Sequence, residues 1–168
     1  RFYVNDAYIG LYLLVENVDK TFLRDLYGPQ GNDGNLYKTG HGAAVTLEWR
    51  GDSAAGYEAQ NLELKTNEDE ADWSQFIHFV DVVNHTSADS LPEKLPAVFD
   101  VDNYLKILAV EKLVFSWDSY WGGGNNFYLY EHPDGRIRRL PWDFNESFQD
   151  FDGGMLGALV HPSFLIPS

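Results

Sequence analysis

The run of apolar positions at the start of the chain predicts two strands, residues 2–4 and 9–16, joined through Asn5-Asp6, since the second is rich in aromatic and β-branched residues. Val18, Phe22, Leu23 and Leu26 then fall at helical spacing, and Gly28-Pro29 stops that helix ahead of a polar loop reaching Gly34. Residues 36–38, 45–49 and 62–64 read as short strands between glycine-rich turns. Trp73, Phe76, Ile77, Val80 and Val83 form one apolar stripe behind the acids Glu68, Asp69, Glu70 and Asp72, which predicts an amphipathic helix with an acidic first turn favoured by the helix dipole. Residues 87–96 read as a connector holding one helical turn at 90–93.

From 102 to 115 the pattern changes. Leu105, Ile107, Leu108, Ala109, Val110, Leu113, Val114 and Phe115 surround the helix instead of striping it, so this helix is expected to be buried on all sides. It delivers Trp117-Asp118 into a loop containing Gly122, Gly123 and Gly124. Residues 127–130 and 137–140 then read as a hairpin closed by His132-Pro133-Asp134-Gly135, where Pro and Gly stand as a tight turn requires. Strands and helices in this order give an α+β fold without internal repeats.

Composition narrows the partners. The chain of 168 residues carries 12 Lys and Arg against 26 Asp and Glu, a net charge of −14. That balance argues against a nucleic-acid polymer or an anionic membrane as partner, since both need clustered positive charge. A nucleotide stays compatible, because a metal held on carboxylates can neutralise its phosphates. With no cysteine, disulfides, zinc thiolates and cysteine nucleophiles are excluded. No apolar run is long enough to span a bilayer as a helix. The chain opens on Arg1 and enters a strand at once, and its N-terminus is expected to lie further upstream.

The chemistry concentrates late in the chain. Asp118 and Asn126 flank the glycine loop, and Asp143 arrives at the end of the hairpin between Trp142 and Phe144. This is the layout of a phosphoryl-transfer site: a loop Asp for the proton of the acceptor hydroxyl, a following Asn on one Mg²⁺, and a later Asp on the Mg²⁺ that bridges the phosphates. Each residue alone has a structural reading, Asp118 and Asn126 as turn residues. Asp143 between two large aromatics is expected to be partly buried and to need a partner.

The residues also match a family. Residues 4–20 resemble the "vNgxyxGxYxLxExiD" signature of the CotH kinases, atypical secretory-type protein kinases named for spore coat protein H. Residues 34–38 resemble its "GnLYK", and Tyr57 with residues 64–67 its "YeLKtN". Residues 99–105, Trp117-Asp118, residues 126–130 and Pro141-Trp142-Asp143 carry the strongest likeness. The resemblance implies a kinase-like fold of which residues 1–168 form the central and catalytic part, with both ends continuing. It also implies ATP with Mg²⁺ or Mn²⁺, and Ser or Thr acceptors on extracellular, cell-surface or spore-coat proteins. Asp118 becomes the catalytic Asp, and Asn126 and Asp143 the metal-holding pair, supported by Trp117, Trp142 and Asn145. Lys38 and Glu16 are candidates for the nucleotide side. Asn145 stands where many relatives carry a second acid; it can coordinate through its carbonyl oxygen but brings no charge. The chain also stops at residues 162–168, where relatives run on into further helices.

Two other readings stay open. The chain could be a surface or coat interaction module that retains the kinase fold for binding, suited to its glycines and many aromatics. A glycosidase using Asp118 and Asp143 as paired carboxylates is disfavoured, since it leaves Asn126 and the glycine loop unexplained. His41, His78, His85, His132 and His161 are scattered without a zinc-site spacing. The sequons at Asn84 and Asn145 read as chance, and the 68–72 acids as a solvated helix start in preference to a calcium site.

Overall fold

The computed structural model describes residues 1–42 and 44–148, so His161 and the run 162–168 lie outside the described residues. Twelve elements follow one another: β1 (Phe2–Val4), β2 (Ala7–Gly10), α1 (Lys20–Tyr27), β3 (Leu36–Thr39), α2 (Ala54–Glu58), β4 (Leu62–Leu64), α3 (Ser74–His85), α4 (Leu91–Val98), α5 (Val101–Leu113), α6 (Tyr120–Gly123), β5 (Phe127–Glu131) and β6 (Ile137–Pro141). The mixture is α+β, as expected. β1 and β2 form a separate antiparallel hairpin, and a four-stranded antiparallel sheet runs in the order β4-β3-β5-β6.

Local chemistry explains several boundaries. Asn5 and Asp6 both take positive φ, 46° and 64°, which matches a two-residue hairpin turn to the twist of its strands. Asp19 caps α1 by accepting from the Thr21 and Phe22 amides, and Ser53 caps the unforeseen α2 by accepting from Ala55.

Alternation along the strands gives the four-stranded sheet two apolar faces. On one, Tyr37, Leu62, Phe127, Leu129 and Ile137 pack with Tyr57, Trp73, Phe76, Phe79 and Phe99. On the other, Leu36, Tyr128, Tyr130 and Leu140 pack with Val18 and with Leu23 of α1. The outer edge of β6 is covered at its first residue, where Phe99 bridges Ile137 and the Asp100 amide donates to the Ile137 carbonyl.

Several expectations are corrected. The second strand stops at Gly10 and not at Glu16: Phe2 lies opposite Gly10, and residues beyond it face no partner strand among the described residues. Residues 45–49 alternate like a strand yet form none, because the Val45 amide donates to the Gly124 carbonyl and the Thr46 amide to Gln60 Oε1. Residues 87–96 hold most of a helix, α4, with Pro92 in its first turn, where a missing N–H is tolerated. The acids before α3 lie outside its first turn; Trp73 is the cap position and Asp72 Oδ1 accepts from the Ser74 amide at 2.9 Å. That bond holds the Asp72 carboxyl below its usual value.

α5 differs most. Glu111 is its buried residue, while Leu105, Val110 and Leu113 are exposed, because the helix packs its inner side on β6 and meets no comparable layer outside among the described residues. Leu26 of α1 is likewise exposed. Among the described residues no helix is long and apolar enough to cross a membrane.

One buried acid sets a pH dependence. Tyr37 Oη donates to Glu131 Oε1 at 2.7 Å where β5 ends. Burial pushes the Glu131 carboxyl up from 4.5 to about 7, against the hydrogen bonds from Tyr37 and the Phe76 amide that pull it down. Because the folded value is raised, this group's contribution to stability is complete below about 4.5 and is lost as pH rises through about 7. The loss is on the order of 3 kcal/mol. The unfolding temperature should therefore fall between pH 5 and pH 8 by more in the wild type than in Glu131→Gln, whose side chain is uncharged throughout. Parallel curves for the two proteins would remove Glu131 as the cause.

Candidate functional site

α5 ends in a turn that aims the chain at the site. Phe115 takes φ 51°, its amide donates to the Lys112 carbonyl, and the Ser116 amide donates to the Glu111 carbonyl at 2.8 Å. These bonds close the helix in the left-handed manner usually reserved for glycine. A bulky residue costs about 1–2 kcal/mol there. Trp117 and Asp118 follow Ser116, and Ser119 is the cap position of α6.

The glycine loop is therefore not an open loop but the one-turn helix α6, whose Gly122 and Gly123 amides donate to the Ser119 carbonyl. Two glycines are required by position. A Cβ on Gly122 would overlap the Trp117 carbonyl, and Gly124 sits at φ 66° with its Cβ direction 2.5 Å from the Val45 carbonyl oxygen. Gly124→Ala should lower stability by roughly 2 kcal/mol through left-handed strain and the backbone clash, measured as a drop in the unfolding midpoint. An unchanged midpoint would show that residues 44–46 can move aside.

Asp118 and Asn126 are brought together. Asn126 Nδ2 donates to the Asp118 carbonyl and to Asp118 Oδ2, each at 2.8 Å, while Asn125 Nδ2 donates to Asp118 Oδ1 at 3.3 Å. Both carboxylate oxygens are thus held by amides, and both partners are partly buried. Asp143 comes to the same end of the hairpin through the backbone: Phe127 pairs with Pro141, and the Trp142 amide donates to the Asn126 carbonyl at 3.2 Å.

Its carboxylate is not where the sequence suggested. Asp143 is exposed in spite of its aromatic neighbours, because Trp142 turns onto Tyr128 at 5.6 Å and Phe144 is itself 37% exposed. Asp143 makes no hydrogen bond or ion pair with another described residue. Asn126 and Asp143 take φ 50° and 53°, so these two candidates and Phe115, near the third, share the left-handed region. Such strain gathers at functional sites, and Asn and Asp tolerate it best.

The remaining candidates divide. Lys38 lies opposite Tyr128 in the sheet, its Nζ 5.5 Å from that ring and 5.4 Å from the Trp142 ring, so it stands beside the residue preceding Asp143. Glu16 lies in the exposed irregular run after β2 and makes no hydrogen bond or ion pair with another described residue. Asn145 is exposed and donates at 3.5 Å to Glu146. Trp117 is half-buried beneath the α6 turn.

Among the described residues no group of three His, Cys, Asp or Glu is arranged to hold a metal. Asn84, in a sequon, commits its Nδ2 to the Leu47 and Val80 carbonyls at 2.7 Å each, in keeping with a structural role. His85 pairs with Asp81, and His132 packs against Tyr27 and Tyr130.

A pair that the sequence reading missed ties these elements together. Arg139 of β6 grips Glu111 of α5 bidentately, Nη1 to Oε2 at 2.8 Å and Nη2 to Oε1 at 2.6 Å, with the side chains 2% and 1% exposed. Its signal was a charge at a core-facing strand position, between Ile137 and Pro141 on the same face.

Fold and site together define an α+β domain with an acid and amide pair at the mouth of a strained hairpin. The CotH kinase protein model matches residues 1–162, and the chain belongs to that family. Among curated proteins it is similar to Invasin CotH3 of Rhizopus delemar, with 36% identity over 56 residues. That match covers 33% of this chain and spans 8% of the relative's length.

Proposed function

We propose that this protein is an atypical protein kinase, its residues 1–168 forming the central and catalytic part of a kinase-like domain, and that it transfers the γ-phosphoryl group of ATP to Ser or Thr hydroxyls of extracellular, cell-surface or coat proteins. The observation that carries the reading is the double anchoring of the Asn126 amide on Asp118. With Nδ2 committed, Asn126 Oδ1 is the atom left for a cation, and Asp143, next to the Trp142 amide that bonds the Asn126 carbonyl, adds a carboxylate without a partner among the described residues.

Oxygen donors of this kind suit Mg²⁺ or Mn²⁺, and one or two protein ligands completed by phosphate oxygens and water are how Mg²⁺ is ordinarily held. A bound metal would neutralise charge on the transferring group. Asp118 receives the proton of the acceptor hydroxyl, its carboxylate already oriented by two amides. Lys38, whose ammonium lies against the Tyr128 and Trp142 rings, would serve the nucleotide side; Glu16 gains no support from its surroundings.

A second reading draws on a different observation. Leu11, Leu13 and Leu14 are 81%, 86% and 97% exposed beside an aromatic hairpin, and a relative bears the name invasin, both of which favour a surface interaction module. Unfolding temperatures of the intact protein with ATP, with Mn²⁺ and with both separate the two. A rise that needs both, together with radiolabel transfer to a Ser/Thr peptide library, supports the kinase; neither effect would leave the module.

A further inference from the structure

The Glu111–Arg139 ion pair is buried where an apolar pair would serve stability as well. Charges taken out of water lose hydration that their attraction only partly restores, and well-packed hydrophobic replacements are often neutral or stabilising. Here the penalty is compounded, since Arg139 Nε has no hydrogen-bond partner among the described residues. What the pair supplies that an apolar pair cannot is a fixed geometry: a bidentate fork allows one separation and one plane.

That geometry lies between the elements that carry the site. The Glu111 backbone carbonyl accepts from Ser116 in the turn that aims Asp118, while its carboxylate grips β6, which ends just before Trp142 and Asp143. The Arg139 guanidinium is 5.8 Å from the Tyr120 ring and 5.6 Å from the Phe127 ring. Tyr120 follows Asp118 closely in α6, and Phe127 directly follows Asn126. The pair therefore packs against the residue two positions after Asp118 and the one directly after Asn126, and holds the strand leading to Asp143.

We propose that Glu111 and Arg139 are positioning residues, a rigid clamp that sets the Asp118–Asn126 unit at a fixed distance from Asp143. The inference rests on the kinase reading for its catalytic consequence but not for its structural one. A displacement of about 1 Å at a reacting centre can lower a rate on the order of 100-fold.

The test uses the intact protein with the apolar double variant Glu111→Leu/Arg139→Met and the milder Arg139→Lys, which keeps the charge and loses the fork. With selective ¹⁵N-Asn labelling, the side-chain amide resonances of Asn126 report its bonds to Asp118 without any need for turnover. The expected result is an unfolding midpoint at or near that of the wild type for the double variant, shifted Asn126 resonances in both variants, and kcat lowered roughly 100-fold with KM for ATP little changed. If the double variant does not fold, Arg139→Lys carries the same readings. Unshifted Asn126 resonances with wild-type kcat in a folded variant would overturn the clamp. A wild type that transfers nothing would overturn the kinase reading instead, and the Asn126 resonances alone would then decide the clamp.

Discussion

Asp118→Ala is expected to lower phosphoryl transfer by about 10²- to 10⁴-fold, the range a positioned general base contributes, while Mn²⁺-dependent ATP binding survives. The separation of the two effects follows from how Asn126 is held. Its Nδ2 bonds both the carboxylate and the main-chain carbonyl of Asp118, and the second bond persists when the side chain is cut back to a methyl. Asn126 therefore keeps its orientation, and on the kinase reading its Oδ1 would stay available to a metal. Radiolabel transfer alongside calorimetric titration of ATP with Mn²⁺ measures both quantities on one preparation. Binding lost in step with transfer would mean that Asp118 holds the metal and does not act as the base.

Asp143 should behave in the opposite way. Asp143→Ala, and more cleanly Asp143→Asn, is expected to weaken metal-dependent ATP binding by at least roughly 100-fold, the upper end of what losing even a supporting partner of a metal ligand does. Asn is the cleaner substitute because the position sits at φ 53°, which Asn tolerates and Ala resists. Asn145 brings no charge to compensate, so Asp143 supplies the carboxylate of the run from Trp142 to Asn145. The same calorimetric titration checks it. Equal binding by wild type and Asp143→Asn would remove the residue from the metal site.

What could be read in the sequence was largely what is local. The Asn5-Asp6 and His132–Gly135 turns, the helix ended by Gly28-Pro29 and the β5–β6 hairpin follow from residues within a few positions of one another, and the approach of Asn126 to Asp118 spans only eight. Residues 45–49 misled because their alternation is real while their backbone partners, Gly124 and Gln60, come from elsewhere in the chain. α5 misled for a related reason: apolar composition records what a helix could bury, and Leu105, Val110 and Leu113 find no cover among the described residues. The exposure of Asp143 depends on Trp142 turning onto Tyr128, a contact between strands that periodicity does not encode. The Glu111–Arg139 pair joins a helix to a strand, so neither partner announces the other.

The pairing order of the sheet also bears on how the molecule assembles. The Asp118–Asn126 bond spans 8 positions and the hairpin that follows is a neighbour in sequence, whereas the bond between Thr39 and Phe127, which seats β5 against β3, spans 88. Closing the longer loop costs about 2 kcal/mol more in chain entropy, and long-range pairing slows folding. The acid and amide pair should thus be able to form as a nascent local unit before the rest of the sheet exists. The burial that fixes it waits for β3, made much earlier in synthesis, to dock against a strand made late.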